Sequence, residues 1–233
     1  YDDADDSITD DPDRMNEIKK KFWGNKWDKQ DHLDPTDLFK AYGKRLGIPP
    51  TPITIDTVKN AILNSNDSAV GPDGIPFAAY RLTLDFVAPL LLDCIRFLMK
   101  GGLPPDDFNG GLLILLPKKN TYKIEDTRPL VINNTDNRLI ATIIRDSITP
   151  ALDTVLSDDQ NGFRDRRSTS DNINFYNEKF YSSLENREFY DILFVDFCKA
   201  FDSVSHDAIF KLLDCLGFTS DYQNIIKSLF INA

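Results

Sequence analysis

The sequence predicts an α/β (α+β) fold that is rich in helix, with one short β-hairpin and one further strand. Three observations predict it. Apolar residues recur at helical spacing along much of the chain, as in Ile55, Val58, Ile62 and Leu63 and again in Leu139, Ile140, Ile143 and Ile144. The apolar run at 112–116 has strand length, and a second extended run at 127–132 returns after a basic loop. Ile192, Leu193, Phe194 and Val195 form a third such run, with a β-branched and aromatic bias, and it stops on Asp196.

With 233 residues and 41% hydrophobic content, the chain can bury one sizeable core or two small ones. Its longest apolar run falls far short of the ~20 residues of a membrane span, and no N-terminal signal pattern is present. Membrane and secretory readings are therefore set aside. Cys94, Cys198 and Cys215 are widely spaced with no CxxC pair, which argues against a disulfide framework or a zinc site. Tyr1 in place of Met leads to the expectation of a segment of a longer product.

A formal charge of −10 argues at first against a nucleic-acid partner, because phosphate neutralisation by Lys and Arg supplies most of that affinity. Position changes the argument. Asp2, Asp3, Asp5, Asp6, Asp10, Asp11 and Asp13 crowd the N-terminus as a solvated tail. Without these seven of the 37 acids, the remainder nearly balances the 27 bases, and the bases cluster.

The elements follow in order. Residues 14–27 suit a short basic helix ending near Gly24. Its Lys19, Lys20 and Lys21 beside Phe22, Trp23 and Trp27 suit either a solvated face with the aromatics tucked inward, the favoured reading, or a surface that neutralises and stacks on nucleic acid. Asp34, Pro35 and Thr36 open a helix to Tyr42, and Gly43 follows it. Pro49, Pro50 and Pro52 break the chain at a linker. A helix over 54–64 leads through a polar loop to the turn GPDGIP at 71–76, where proline presets one torsion and glycine tolerates a positive φ. A second helix carries Tyr80 and Arg81, and a long apolar one covers 85–99 before Gly101 and Gly102.

Residues 112–116 read as a buried strand that delivers Pro117, Lys118 and Lys119 into a loop, with Thr127, Arg128 and Pro129 on the return strand. Two strands joined this way present a fork of positive charge to a triphosphate. Asn134 or Thr135 caps the next helix, to about Val155, which Pro150 is expected to kink or divide. In the loop at 160–173, Gly162 permits close backbone approach, Arg164, Arg166 and Arg167 gather beside Phe163, and Ser168 or Thr169 caps the onward helix. A helical pattern opens at His206 and Asp207 and runs to Gly217, and an amphipathic one spans 222–230.

The stretch at 191–206, DILFVDFCKAFDSVSH, holds the strongest chemical signal. A carboxylate at the end of a buried strand, followed by a tight acidic turn and a helix, frames a hard divalent cation, which takes one or two oxygens from protein. On chemistry alone both Asp196 and Asp202 are candidates, and a strand end followed by solvated acids accounts for the same spacing.

FVDFCKAFDSVSH resembles the first palm motif of reverse transcriptases, especially those of non-LTR retrotransposons. LLPKK followed by TRPL resembles their fingers hairpin, QNGFR their QxGFR fingers motif, and GPDGIP the start of their fingers. The resemblance covers roughly residues 54–230. It implies right-hand polymerase fingers and an incomplete palm, with an N-terminal extension at 1–52, fingers at 53–185 and the start of the palm at 186–233.

It also implies roles for particular residues. Asp196 would be the catalytic carboxylate and metal ligand, with the carbonyl of Phe197 as a further ligand and Asp202 ranked second. Arg128 and one of Lys118 and Lys119 would grip the nucleotide's phosphates. The backbone through Cys198, Lys199 and Ala200 would lie along the triphosphate, while Phe201 excludes a 2′-hydroxyl. Gln160, Gly162, Phe163 and Arg164 would hold the template. The implied cofactor is Mg²⁺, with Mn²⁺ as the alternative, and the implied partners are an RNA template, a DNA primer and deoxynucleoside triphosphates, in an intracellular ribonucleoprotein of undefined oligomeric state.

In the family two more carboxylates come from a later aromatic-x-Asp-Asp hairpin, absent here, so the expected activity is RNA-templated DNA synthesis by the intact protein and inertness of this segment alone. The competing reading is a remnant that binds RNA or protein without catalysis. An RNA-directed RNA polymerase is disfavoured, because Phe201 would obstruct a ribose.

Overall fold

A computed structural model describes residues 8–27, 34–118, 123–187, 189, 191–197, 200–201 and 203–232. Lys119, Cys198, Lys199, Asp202 and the first acids of the tail lie outside the described residues. Helices dominate: α1 (Pro12–Trp27), α2 (Thr36–Tyr42), α3 (Ile55–Leu63), α4 (Phe77–Leu82), α5 (Leu84–Met99), α6 (Thr135–Asp153), α7 (Thr169–Asn186), α8 (His206–Leu216) and α9 (Ser220–Ser228). Two antiparallel strands, β1 (Gly111–Pro117) and β2 (Thr127–Asn133), form the sheet of the described residues.

The core is built by helices that each bury one stripe. Ala88, Leu91, Leu92, Ile95 and Leu98 line one face of α5, and Leu139, Ile140, Ile143 and Ile144 one face of α6. Val58 and Ile62 of α3 and Ile225 and Ile226 of α9 close on them. α5 therefore stands at the centre, against α3 on one side and α9 on another. α3 starts at a reciprocal cap: Thr54 Oγ1 accepts from the Thr57 N–H at 3.3 Å, and Thr57 Oγ1 accepts from the Thr54 N–H at 2.9 Å.

The proline-rich stretch between α2 and α3 is strapped to the body. The Thr51 N–H donates to the Ser147 carbonyl at 2.8 Å, and the Tyr222 hydroxyl donates to the Thr51 carbonyl at 2.9 Å. Lys211 of α8 donates to Asp34 at 2.8 Å, and this hydrogen bond, with those from Thr36, holds the Asp34 carboxyl well below the usual carboxylate range.

Four sequence expectations need correction. α1 runs through Gly24 to Trp27, with Trp23 fully buried. α6 runs undivided through Pro150, because the carbonyl that loses its partner belongs to exposed Asp146, while buried Ala151 anchors the turn beyond. The run at 112–116 forms its strand but is only half covered, with Leu112, Ile114 and Leu116 exposed and Leu113 and Leu115 beneath α1. The run at 192–195 forms no strand and is exposed, with Leu193 at 85% and Phe194 at 83%. No described strand lies beside it to complete its ladder hydrogen bonds, and a lone extended segment gains nothing by becoming one.

Candidate active-site face

The hairpin positions the first group of candidate residues. Antiparallel register pairs Gly111 with Asn133 at the base and Leu116 with Arg128 near the far end. Lys118 follows directly, its N–H donating to the Asp126 carbonyl at 2.8 Å, so Lys118 and Arg128 share one end of the hairpin. Both are exposed, and no described ion pair or side-chain hydrogen bond engages either cation. Two exposed cations at one end of a hairpin, with no described partner, are suited to a polyanion.

The base of the hairpin is bolted to the GPDGIP turn. The Gly74 N–H donates to the Gly71 carbonyl at 3.0 Å, and Gly74 has φ of 71°. A Cβ on Gly71 would sit 2.6 Å from the backbone N and Cα of Asn134, so only glycine allows this approach. The Asp73 N–H donates to Asn134 Oδ1 at 3.1 Å, and Thr135 Oγ1 donates to the Ile75 carbonyl at 2.5 Å. Asp136, just beyond, is held above the usual carboxylate range by burial and then by the negative charges of Asp73 and Asp107, against a hydrogen bond from the Asn137 N–H. Burial and the same negative field, from Asp136 and Asp73, push the Tyr80 hydroxyl up to about 12.

The loop at 160–168 divides its three arginines. Arg164 turns inward: its side chain is 9% exposed, and it donates to Asp153 at 3.0 Å and to the carbonyls of Ser157 and Gln160 at 2.8 and 3.3 Å. Arg167 pairs with Asp158 at 2.7 Å. Arg166 projects, 93% exposed, with Asp165 beside it at 3.7 Å. Gln160 Nε2 donates to the Gly162 carbonyl at 3.2 Å and shapes the turn. Asn161, at the variable position of QNGFR, is buried and donates to Asn172 of α7, while its own Oδ1 has no described partner. A buried amide leaves no periodic trace in sequence, so nothing there distinguished it.

Phe163 has the opposite environment. Its backbone sits at φ of 59°, where a bulky residue is an outlier, and its ring is 99% exposed. That ring lies 6.1 Å from Phe201, edge to face. Phe194 lies 6.4 Å from Tyr176 of α7. The segment carrying Asp196 thus touches α7 at one point and the Phe163 loop at another.

Two of the expected constellations therefore come together, the Phe163 loop and the Phe201 turn. No described hydrogen bond or ion pair joins Arg128 to Asp196, and the Asp196 carboxylate is exposed without a described partner. Among the described residues, no group of three His, Cys, Asp or Glu side chains is placed to hold a metal ion. Asp196 and the adjacent Phe197 carbonyl nevertheless supply hard oxygen donors in the number that Mg²⁺ usually takes from a protein.

Two further arginines are committed. Arg138 donates to the Ala69 carbonyl at 2.8 Å and Ser68 Oγ at 2.6 Å and lies 4.8 Å over Phe77, while Arg145 pairs with Asp146 at 2.7 Å. They flank a cavity of about 590 Å³ between α3 and α6.

Comparison with known proteins adds an independent finding. Residues 116–232 match the family described as reverse transcriptase (RNA-dependent DNA polymerase). The chain is 25% identical over 185 residues to the "Transposon TX1 uncharacterized 149 kDa protein" of Xenopus laevis, covering 78% of this chain and 14% of that protein. It is 28% identical over 179 residues to the "Retrovirus-related Pol polyprotein from type-1 retrotransposable element R2" of Popillia japonica, covering 75% and 24%. To the "Probable RNA-directed DNA polymerase from transposon BS" of Drosophila melanogaster it is 29% identical over 121 residues, covering 50% and 13%. The chain thus spans less than a quarter of the length of these curated relatives.

Proposed function

Because the chain belongs to the reverse transcriptase (RNA-dependent DNA polymerase) family, we propose that the protein carrying it is an RNA-directed DNA polymerase of a non-LTR retrotransposon. In this reading residues 53–185 are its fingers and residues 186–233 open its palm, with residues 1–52 as an extension. One observation carries the reading. The family match runs in a single span from the hairpin through the Phe163 loop to the turn after Asp196, and within it two exposed rings, Phe163 and Phe201, meet at 6.1 Å.

The chain's own residues then divide the work. Arg128 and one of Lys118 and Lys119 bind the triphosphate oxygens of the incoming deoxynucleotide by charge, from one end of the hairpin. Phe201 packs against its sugar and leaves no room for a 2′-hydroxyl. Phe163 gives the template a face for stacking, Arg166 meets its phosphates, and Arg164 with Gln160 holds the loop in shape. When bound, a divalent cation lowers the pKa of the primer 3′-hydroxyl and offsets charge on the leaving pyrophosphate. Asp196 and the Phe197 carbonyl are the groups that would hold it, with Mg²⁺ as the expected ion. Nucleotidyl transfer by two metal ions, the mechanism of this reading, needs more carboxylates than Asp196 alone, so the 233 residues alone are expected to be inert.

Primer extension tests this with an RNA template, a DNA primer, deoxynucleotides and Mg²⁺. A longer protein containing these residues is expected to synthesise DNA, Asp196→Asn to abolish synthesis while RNA binding persists, and Phe201→Ala to admit ribonucleotides. Undiminished synthesis by the Asn variant sinks the reading, as does vigorous synthesis by the 233 residues alone. Template binding by the longer protein without any synthesis would favour a non-catalytic binding role.

A further inference from the structure

The hairpin that carries Arg128 is poorly braced along its length. Leu112, Leu116, Leu130 and Val131 are each about half exposed, and α1 covers only one side of β1. A two-stranded ribbon with so little packing takes its orientation from its base. Two glycines, Gly110 and Gly111, stand there and offer no side chain to wedge it.

Besides the bonds between the GPDGIP turn and Asn134 and Thr135, a set of buried amides centred on Asn109, which is 4% exposed, holds the base and ties it to α9. The Asn109 Nδ2 donates to the Ser228 carbonyl, the last of α9, at 2.8 Å and to the Ile231 carbonyl, three residues beyond the helix, at 2.6 Å. Its Oδ1 accepts from Asn137 Nδ2 of α6 at 2.8 Å. Its own carbonyl accepts from Asn133 Nδ2, at the end of β2, at 2.9 Å. Asn137 Nδ2 also reaches the Phe108 carbonyl at 3.2 Å. Every polar atom of the Asn109 side chain is used, and three elements, α6, α9 and β2, meet at this residue.

The far side of this junction leads towards the acidic motif. Phe230, two residues past α9 and between the Ser228 and Ile231 carbonyls, meets His206 edge to face at 4.7 Å and Phe210 at 5.6 Å. His206 is the first residue of α8, five positions after Phe201. The hairpin base is therefore registered, through Asn109, against the element that follows directly from the Asp196 and Phe201 turn.

We propose that Asn109 is a positioning residue for the nucleotide: it fixes the angle of the hairpin against the α8–α9 unit and so the place of Arg128. The inference rests on Arg128 binding the triphosphate. A lever argument gives its size. At about 3.3 Å per strand residue, Arg128 lies roughly 17 Å from Asn133, so a tilt of about 5° at the base moves the guanidinium by about 1.5 Å. Displacements of about 1 Å are enough to lose on the order of 10²-fold in rate when a charged group must meet a transition state. Buried and fully satisfied amide networks fix one arrangement among several more than they add stability, which is the property a lever's pivot requires.

The test uses the longer, active protein. Asn109→Asp keeps the size and removes both N–H donors, and Asn133→Ala removes only the hydrogen bond from β2, so it serves if the first variant fails to fold. Spin labels at Glu125, on the hairpin's turn, and at Asp221, at the start of α9, report the angle directly. Each variant is expected to broaden the label–label distance distribution and to raise KM for the incoming deoxynucleotide about tenfold or more. Leu213→Ala is the control for a purely structural loss: it should lower the melting temperature with the distribution and KM unchanged. Two outcomes overturn the proposal: a distribution as narrow as in the unmodified protein, or a KM rise in Leu213→Ala equal to that in Asn133→Ala. Arg128→Ala separates the premise from the inference. If KM does not rise in that variant, the triphosphate role of Arg128 fails, while the label distances still decide whether Asn109 fixes the angle.

Discussion

Arg164 and Arg166 are two positions apart in one basic loop, yet the structure gives them opposite tasks. Arg164 ties the loop to the end of α6 through Asp153 and two carbonyls, whereas Arg166 stands in solvent. Replacing each by alanine should separate the tasks. Arg164→Ala leaves Asp153 and two carbonyls without their donor, so the melting temperature is expected to fall and RNA binding to weaken only as the loop loosens. Arg166→Ala should leave the melting temperature alone and lower the slope of log affinity against log salt by about 1, the mark of one lost phosphate contact. Asp136 allows a second residue-scale prediction. Its carboxyl takes up a proton more readily in the folded chain than in the unfolded one, so its contribution to stability is complete below the ordinary carboxylate pKa and is lost as pH rises through the elevated native value. Asp136→Asn, with no charge to bury, is expected to melt at a higher temperature than the unmodified chain near pH 7, with the difference shrinking towards about pH 3. At this scale sequence located the chemistry but not the partners. The cluster at Arg164, Arg166 and Arg167 was legible as basic, while the acids that neutralise two of its members come from Asp153 and Asp158 and depend on the turn between them.

Helices were the most legible elements, because a period of 3.6 is written locally. The stripes of α3, α5 and α6 and the turn glycines at Gly74, Gly101 and Gly217 all appear in the structure where the pattern puts them. Caps were only partly legible: Ser168 caps α7 as expected, Asn134 starts α6 without a side-chain hydrogen bond, and the cap at Thr54 was not legible. The reciprocal bonds of Thr54 and Thr57 predict that Thr54→Ala lowers the stability of the fold by about 1 kcal/mol, read as a lower urea midpoint with an unchanged slope. An unchanged midpoint would show that α3 is held by packing alone. The strand expected at 192–195 was not legible in the same way, since a strand is completed by a neighbour that its own residues do not encode. α6 errs in the other direction: Pro150 reads locally as a breaker, and the helix passes it because the freed carbonyl faces water.

At the scale of the molecule, one core joins α3 to α6 with α8 and α9, while α7 and the Asp196 segment remain outside it. Net charge says little about how the bases are distributed, since Lys118 and Arg128 stand on the hairpin and Arg164, Arg166 and Arg167 in one loop. α7 has a formal capping box at Ser168 and Asp171 and no buried residue. Ile173, Phe175, Tyr181 and Leu184 are each more than half exposed, and Phe194 and Phe201 continue the same uncovered ground. So much greasy surface makes the 233-residue chain a poor colloid. In sedimentation velocity its weight-average coefficient is expected to climb with loading concentration, and Phe175→Lys with Tyr181→Lys to flatten that climb without altering the circular dichroism spectrum. Anyone preparing the chain should therefore expect it to bind phenyl resin at modest ammonium sulfate and to leave solution early on salting out.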